Sequence, residues 1–207
     1  MILASASPRR SELLGRLGFE LEIVPADIDE SRIEGEHPRA LVQRLAHEKA
    51  WHVANGRGFD ADGLLLAADT IVWMGSDALG KPHGEEDARN MLRELSGKTH
   101  HVSTGVSILA VQHDGKVGES SFVETTDVTF CELTEGQIAA YVRSGECMDK
   151  AGAYAIQGTG SLLVAGIAGD YDNVVGLPTN RVVREMAKLK INGGTDLLEQ
   201  LLEERNA

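Results

Sequence analysis

The sequence is that of an acidic chain with an ordinary globular composition. Its 207 residues are 42% hydrophobic and 25% charged, which is typical of one soluble domain or of two small lobes that share a core. Asp and Glu number 32 against 20 Lys and Arg, so the formal net charge is −12. Because contact with a nucleic-acid backbone needs a basic face, this balance argues against a nucleic-acid partner. A small anionic ligand stays compatible, since it needs only a local group of cations.

No feature of the sequence indicates export or membrane insertion. The arginines of the first ten residues follow the apolar ones, whereas a secretory signal peptide has the reverse order. No apolar run approaches the roughly 20 residues that a membrane helix needs. Cys131 and Cys147 are the two cysteines, too few for a zinc cluster. We therefore expect a cytoplasmic protein without a membrane partner.

In chain order, the hydrophobic pattern alternates between strands and helices. A short strand at residues 2–4 is followed by Ser7 and Pro8, an N-cap and a first helical residue that predict a helix. The strongest strand is the apolar run 64–74, whose continuity indicates burial on both faces. The other predicted elements are a strand at 19–24, a loop at 27–37, a helix from Pro38, a helix at 84–95, strands at 101–111 and 117–130 joined by a turn at Asp114–Gly115, a helix from the capping box of Thr134 and Gln137 to Val142, a strand at 162–167, and helices at 178–189 and 195–205. This alternation predicts an α/β fold.

The segment from Ser5 to Arg10 can bind an anion. Free N–H groups at the helix start after Ser7, the positive end of the helix dipole and the side chains of Arg9 and Arg10 can all converge there. The same residues would equally suit a plain capped helix with solvated arginines, and the pattern alone does not separate the two.

Asp69 and Thr70 interrupt the apolar run 64–74. A buried carboxylate is costly unless it is paired or bound to a metal, which favours a functional Asp69 over a strand that simply emerges at the surface. The sequence contains neither the HExxH motif of a zinc site nor the GxSxG motif of a serine hydrolase. If a metal is used, carboxylates are the available ligands, and they favour Mg²⁺ or Mn²⁺.

Two later segments carry weaker signals. Lys81 lies in Gly80-Lys81-Pro82, which lacks the surrounding pattern of a Walker A loop. Residues 151–160 hold glycines that permit close approach of a ligand to the backbone, although an ordinary tight loop would look the same. Neither segment identifies a site by itself.

Taken together and in this order, these segments resemble the Maf family of nucleotide pyrophosphatases, over nearly the whole chain to about Leu189. The motifs that carry the resemblance are Leu3-Ala4-Ser5-Ala6-Ser7-Pro8-Arg9-Arg10, Glu12-Leu13-Leu14, Asp27-Ile28-Asp29-Glu30, Glu48-Lys49-Ala50, Ala68-Asp69-Thr70-Ile71-Val72, Gly80-Lys81-Pro82, Leu95-Ser96-Gly97, Ser103-Thr104-Gly105-Val106, Lys150-Ala151-Gly152-Ala153-Tyr154, Ile156-Gln157-Gly158 and Asn173-Val174-Val175-Gly176-Leu177-Pro178. Asp69-Thr70 and Ile156-Gln157-Gly158 look like the branch of the family that hydrolyses dTTP and UTP. The branch that acts on 7-methyl-GTP would be expected to carry Glu where Gln157 stands.

The resemblance implies a fold and a reaction. The fold would be a mixed central sheet with flanking helices and two lobes around a cleft. Residues 1–190 would form a single catalytic domain, and residues 191–207 a C-terminal helical extension. The reaction would convert a pyrimidine nucleoside triphosphate and water into the monophosphate and pyrophosphate, by attack of water on the α-phosphorus. The resemblance is also compatible with a homodimer.

The residues and the resemblance together assign roles within the site. By resemblance Asp69 would be the proton acceptor, and with Glu30 it would hold a divalent cation, Mg²⁺ or Mn²⁺. The phosphates would be bound by Ser7, Arg10, Lys49 and Lys81. By resemblance the base would be selected by Arg9, Thr70 and Gln157. The Gln157 amide can match the N3–H and carbonyl groups of uracil and thymine, although a flipped amide would match cytosine as well.

Two alternatives stay open at this level. The chain could be a pyrophosphatase of the same fold that acts on 7-methyl-GTP or another modified nucleotide. It could also be a nucleotide-binding regulator of septum formation. The carboxylates of Glu30 and Asp69 favour catalysis, because a pure sensor of an anion gains nothing from added negative charge unless a metal is bound.

Overall fold

Strands and helices alternate along the chain. The computed structural model describes residues 1–57, 63–111, 116–189 and 197–204. The strands in these residues are β1 (Ile2–Leu3), β2 (Glu22–Ile23), β3 (Leu64–Met74), β4 (Asp77–Leu79), β5 (Thr99–Val111), β6 (Val117–Phe130) and β7 (Val164–Ala168). The helices are α1 (Pro8–Gly15), α2 (Pro38–Arg57), α3 (Glu85–Leu95), α4 (Glu135–Arg143), α5 (Tyr171–Val175), α6 (Thr179–Lys188) and α7 (Leu197–Glu204).

A single mixed sheet organises these elements. Its strands pair in the order β2-β1-β3-β5-β6-β7, with β4 added to β3. β1 is parallel to β2 and to β3, and the other described pairs are antiparallel. The predicted mixed sheet with flanking helices is therefore confirmed, and its division into two lobes around a cleft stays a prediction. The predicted turn at Asp114–Gly115 lies outside the described residues.

Helices cover both faces of the sheet. On one face α2 packs Ala50 and Val53 against Leu65 and Ala67 of β3. On the other face Leu66 of β3 joins the main core, which also takes side chains from α1, α3, α4 and α6. Successive residues of β3 thus enter different apolar cores, which confirms the prediction of a strand buried on both faces.

Local signals in the sequence mark two helix starts correctly. Pro8 is the first residue of α1, and Ser7 is its N-cap. Thr134 and Gln137 form the predicted capping box before α4: Gln137 N donates to Thr134 Oγ1 at 3.3 Å, and Thr134 N donates to Gln137 Oε1 at 2.8 Å. These signals succeed because each involves residues within one turn of helix.

Short elements differ from the predictions. The strand predicted at 19–24 shrinks to β2, both of whose residues are exposed. The strand predicted at 162–167 begins only at Val164, because Thr159–Leu163 form a 3-10 helix. β4 and α5 have no counterpart among the predicted elements. Elements this short depend on pairing or on a single cap, and hydrophobic periodicity does not report either.

The C-terminal helix lies against the rest of the chain. α7 contacts α6, and Leu197 packs against the main core. The boundary between a domain at 1–190 and an extension at 191–207 stays a prediction. Among the described residues, no helix is both long enough and apolar enough to cross a bilayer.

His100 is an ionisable group inside the main core. The residue is fully buried, its Nε2 lies 2.9 Å from the Tyr154 hydroxyl, and its ring packs edge-on against those of Phe130 and Tyr154. Burial, together with the neighbouring charge of His101, lowers the pKa of His100 from 6.5 to about 4.

We expect His100 to make the fold sensitive to acid. Between its unfolded pKa of 6.5 and its folded pKa of about 4, the unfolded chain binds a proton that the folded chain does not. Its contribution is therefore complete above pH 6.5 and is lost as the pH falls towards about 4. From pH 7 to pH 5 this should lower the free energy of unfolding by about 2 kcal/mol. Urea unfolding at both pH values, with the non-ionisable variant His100→Gln as the comparison, measures the effect. An equal pH dependence in the two proteins would contradict it.

Candidate active site

The candidate site lies where the parallel strands end. β1 pairs with β3 only as far as Leu3 and Leu66, whereas β3 continues to Met74. β2 and β3 flank β1 on opposite sides, so the strand order reverses at β1. In open α/β sheets, ligands bind beyond the carboxyl ends of the strands at such a switch point. Because no strand of the described residues extends β1 beside Asp69 and Thr70, groups from both faces of the sheet can meet there.

The start of α1 leaves backbone donors available. Ser7 is the N-cap as predicted, but its side chain makes no capping hydrogen bond within the described residues. Instead Ser5 Oγ accepts from Ser7 N at 3.2 Å and from Arg10 Nη1 at 3.0 Å. The first N–H groups of the helix therefore remain free of a hydroxyl cap, which suits an anion.

Arg10 is fixed by acceptors from three parts of the chain. Its Nη1 donates to Ser5 Oγ, its Nη2 to Thr70 Oγ1 and its Nε to the Gly176 carbonyl, each at 3.0 Å. Burial lowers the pKa of Arg10, and the carboxylates of Asp69 and Glu30 oppose that shift. The guanidinium is thus rigid, remains charged at neutral pH and lies within the electrostatic field of the acidic pair.

Lys49 joins the two predicted carboxylates. Its Nζ lies 2.7 Å from Glu30 Oε1 and 2.7 Å from Asp69 Oδ1. The exposed fraction of the side chain is 10% for Lys49, 16% for Asp69 and 56% for Glu30. The ammonium group is therefore partly desolvated, and Glu30 is its solvent-exposed partner. Three elements build this cluster, because Lys49 is on α2, Asp69 is on β3 and Glu30 is in the loop after β2.

A glycine allows α2 to lie this close to the sheet. Gly105 of β5 pairs with Asp69 of β3. A Cβ atom at Gly105 would lie 2.1 Å from the Val42 carbonyl oxygen and 2.7 Å from Gln43 N, both backbone atoms of α2. The absence of a side chain at this position therefore lets the backbone of α2, the helix that carries Lys49, lie directly against β5.

Arg44 holds the loop that carries Glu30. Its Nη2 donates to the Ser31 carbonyl at 3.0 Å, and its Nε and Nη2 bind the two Glu36 oxygens, each at 2.8 Å. The paired contact raises the pKa of Arg44 and lowers that of Glu36. Sequence reasoning missed this clamp. The spacing of Arg44 and Glu48 predicts an ion pair along α2. No pattern in the sequence indicates that Arg44 also binds Ser31 and Glu36.

The donor set fits a hard divalent cation. The described residues contain no group of three or more His, Cys, Asp or Glu side chains suited to a metal. Glu30 and Asp69 nevertheless direct one carboxylate oxygen each at a single cationic centre, the Lys49 ammonium. Mg²⁺ is commonly held by one or two carboxylates plus water and substrate phosphates, so two carboxylates are sufficient.

The side chains of Asp69 and Thr70 point to opposite faces of the sheet. Asp69 contacts Lys49 of α2, whereas the hydroxyl of Thr70 contacts Arg10 from the other face. Alternation along β3 requires this, since successive side chains of a strand point in opposite directions. Thr70 is therefore joined to the phosphate-binding candidate Arg10, and its predicted role in base selection stays a prediction.

The remaining predicted residues lie apart from these contacts. Arg9 is half-buried and contributes to the lowered pKa of Asp149, whose main cause is the hydrogen bond to Lys150. Lys81 and Gln157 are exposed. Within the described residues they make no side-chain hydrogen bond to the groups above. Their roles therefore stay predictions.

The fold and this charged cluster define a class of protein. It is an α/β protein with fixed cations, free helix N–H groups and a carboxylate pair at a switch point, an arrangement suited to a polyphosphate ligand. The family model described as Maf-like protein matches residues 1–189. The chain belongs to the Maf family, as its motifs predicted.

Curated relatives span almost the whole chain. A protein of Agathobacter rectalis named dTTP/UTP pyrophosphatase is 46% identical over 202 residues, covering 93% of this chain and 98% of its own. A protein of Bacillus cereus with the same name is 48% identical over 192 residues, covering 93% of this chain and 96% of its own. Among solved structures, a HAM1 protein from Coxiella burnetii is 15% identical with a TM-score of 0.44, covering 100% of this chain and 98% of that one.

Proposed function

We propose that this protein hydrolyses dTTP and UTP to the monophosphate and pyrophosphate. The observation that carries the proposal is the meeting of Lys49, Glu30 and Asp69 beside Arg10 at the end of β1. The substrate is taken from the relatives named dTTP/UTP pyrophosphatase, which are 46% and 48% identical to this chain.

The phosphates bind to the cationic side of the site. A triphosphate carries roughly four negative charges, so positioning and neutralisation dominate its catalysis. Arg10 has five N–H donors, and the three contacts to Ser5, Thr70 and Gly176 leave two of them for phosphate oxygens. The start of α1 after Ser7 supplies further donors, the backbone N–H groups of Arg9 and Arg10, because Pro8 has none and that of Ser7 is bound to Ser5. The remaining cations of the proposal are Lys49 and Lys81.

Asp69 accepts the proton of the attacking water. The water oxygen forms a bond to the α-phosphorus, and the bond from that phosphorus to the bridging oxygen of the β-phosphate breaks, so pyrophosphate leaves. Lys49 donates to the Asp69 carboxylate at 2.7 Å and so orients it. Glu30 and Asp69 would hold Mg²⁺ or Mn²⁺, which when bound neutralises phosphate charge and makes water more acidic.

The base is selected at the polar groups beyond the phosphates. Gln157 offers both an amide carbonyl and an NH₂ group to uracil or thymine, and its exposed position leaves these groups available. Arg9 can only donate, so cytosine's amino group in place of a carbonyl would leave two donors facing each other. Thr70 completes the proposed set, although its hydroxyl is bound to Arg10.

A substrate panel tests the proposal. Release of pyrophosphate should be measured for dTTP, UTP, CTP and 7-methyl-GTP, each with Mg²⁺ and with Mn²⁺. We expect dTTP and UTP to exceed 7-methyl-GTP by at least about 10-fold, the size of one well-placed polar contact. A preference for 7-methyl-GTP would instead place the protein in the branch of the family that acts on that nucleotide. Binding of nucleotide without turnover would support the alternative of a nucleotide-binding regulator.

In the Gln157→Glu variant the preference for dTTP and UTP should shrink, because a carboxylate cannot donate to a carbonyl. The same substrate panel measures this change.

A further inference from the structure

A chain of two hydroxyls leads away from Arg10 into the sheet. Arg10 Nη2 donates to Thr70 Oγ1 at 3.0 Å, and Thr70 Oγ1 lies 2.9 Å from Thr104 Oγ1 on β5. The Thr104 hydroxyl lies 3.2 Å from the backbone carbonyl oxygen of Asn173. Thr104 is fully buried and lies behind Thr70 as seen from Arg10, so it can act on the site only through its neighbours.

The distances favour one direction for each hydrogen bond in this chain, because two hydroxyl protons serve three contacts and one arrangement uses the two shorter ones. The Asn173 carbonyl can only accept, so Thr104 donates its one hydroxyl proton to it. Thr104 must then accept from Thr70, and the lone pairs of Thr70 are left facing the N–H group of Arg10. The alternative acceptor for the Thr70 proton, the Gly176 carbonyl, is farther away at 3.4 Å. Chains of this kind strengthen each member by polarisation.

The far end of the chain is fastened to the sheet. Asn173 is fully buried, and its Nδ2 donates to the Val102 carbonyl at 2.9 Å and to Thr126 Oγ1 at 3.0 Å. These bonds hold α5, whose C-cap is Gly176, the residue whose carbonyl accepts from Arg10 Nε. Two of the three acceptors of Arg10 therefore depend on the same buried network.

We propose that Thr104 is a positioning residue, which with Asn173 orients Arg10 for the phosphates through Thr70. The inference rests on the proposed function, since it takes the phosphate chain as the ligand of Arg10. It assigns a role to a residue that cannot touch the substrate. The effect of Thr104 must therefore disappear when Arg10 is replaced.

The test compares Thr104→Val with Thr104→Ser. Val has nearly the shape of Thr without its hydroxyl, whereas Ser keeps the hydroxyl. We expect Thr104→Val to raise KM for dTTP and for UTP by the same factor, about 10-fold, the usual effect of a weakened hydrogen bond to a charged group. Thr104→Ser should restore most of it. Thr104→Ala removes the hydroxyl without added bulk and replaces the Val variant if that protein does not fold.

A double-mutant cycle separates positioning from general damage. In an Arg10→Lys background, Thr104→Val should change KM less than about 2-fold. The control is Thr99→Val, on the same strand as Thr104. It removes the 2.8 Å hydrogen bond from Thr99 to Thr129 of β6 and should leave KM unchanged. A wild-type KM in Thr104→Val, no rescue by Ser, or an undiminished effect in the Arg10→Lys background would overturn the proposal.

A binding measurement distinguishes this proposal from the proposed function. Inorganic tripolyphosphate should bind the wild-type protein by titration calorimetry and bind Thr104→Val about 10-fold more weakly. If this holds while neither dTTP nor UTP is hydrolysed, the proposed function fails and the positioning role stands. If the wild-type protein neither binds tripolyphosphate nor hydrolyses either nucleotide, both fail.

Discussion

Asp69→Asn should lower kcat for dTTP and UTP by about 1,000-fold, within the range usual for loss of a general base. The amide has nearly the shape of the carboxylate, so β3 and its pairing with β5 stay intact. It cannot take a proton from water, and it carries no charge to hold a cation. Lys49 keeps Glu30 as its partner at 2.7 Å, so the substitution does not leave an unpaired buried charge. Steady-state rates and the thermal midpoint, measured on the same preparation, test both statements.

Glu30→Gln is the matched control for that experiment. Glu30 contacts the same Lys49 nitrogen but is more than half exposed, so its loss should reduce the rate less than the loss of Asp69 does. If Asp69→Asn kept its rate within 10-fold of the wild type, Asp69 would not be the proton acceptor. If Glu30→Gln were the more damaging change, the roles of the two carboxylates would be reversed.

The candidate site was predictable as a set of residues and only partly as a geometry. Local pattern singled out Arg10 and Asp69, and the family motifs added Lys49 and Glu30; the structure brings all four within electrostatic reach of one another. The partner of Lys49 could not be read from the sequence, because α2, β3 and the loop after β2 meet only in the folded chain. Lys49 was expected on the phosphates, and the structure pairs it with both carboxylates.

Strand periodicity held information that the sequence reading did not use. Asp69 and Thr70 are neighbours in a strand, so their side chains had to leave on opposite faces. They therefore belong to different parts of the site, with Lys49 on one face and Arg10 on the other. By contrast, the contribution of Thr104 and Asn173 has no local signal. It depends on the register of β3 with β5 and on the position of α5.

The fold could be predicted from the sequence where elements are long, and the prediction failed where they are short. The run 64–74 and the strands around 101–111 and 117–130 were predicted almost to the residue, since each is a long element of 11 to 14 residues. β4 has three residues and exists because it folds back on β3 after a turn at Gly75, whose φ is +64°. A pattern of apolar residues cannot report such an element.

Gly105→Ala should destabilise the protein by at least about 3 kcal/mol, at the upper end of the usual cost of overpacking. The added Cβ would lie 2.1 Å from the Val42 carbonyl oxygen and 2.4 Å from its carbon. These are backbone atoms of α2, so no rotamer change can relieve the overlap and the whole helix must move away from the sheet. Because Lys49 is on α2 and Asp69 is the strand partner of Gly105, the same movement separates the charged cluster. The free energy of unfolding measured with urea and the hydrolysis rate of the folded fraction should therefore both fall.

Gly56→Ala provides the control on the same helix. Gly56 is exposed near the end of α2, and a Cβ there would meet nothing within 4 Å. Replacing a helical glycine with alanine in open space should leave the stability unchanged or raise it by up to about 1 kcal/mol. A Gly105→Ala protein as stable as Gly56→Ala would show that α2 can retreat from β5 at little cost. Contact between α2 and the sheet would then not be what sets the distance from Lys49 to Asp69.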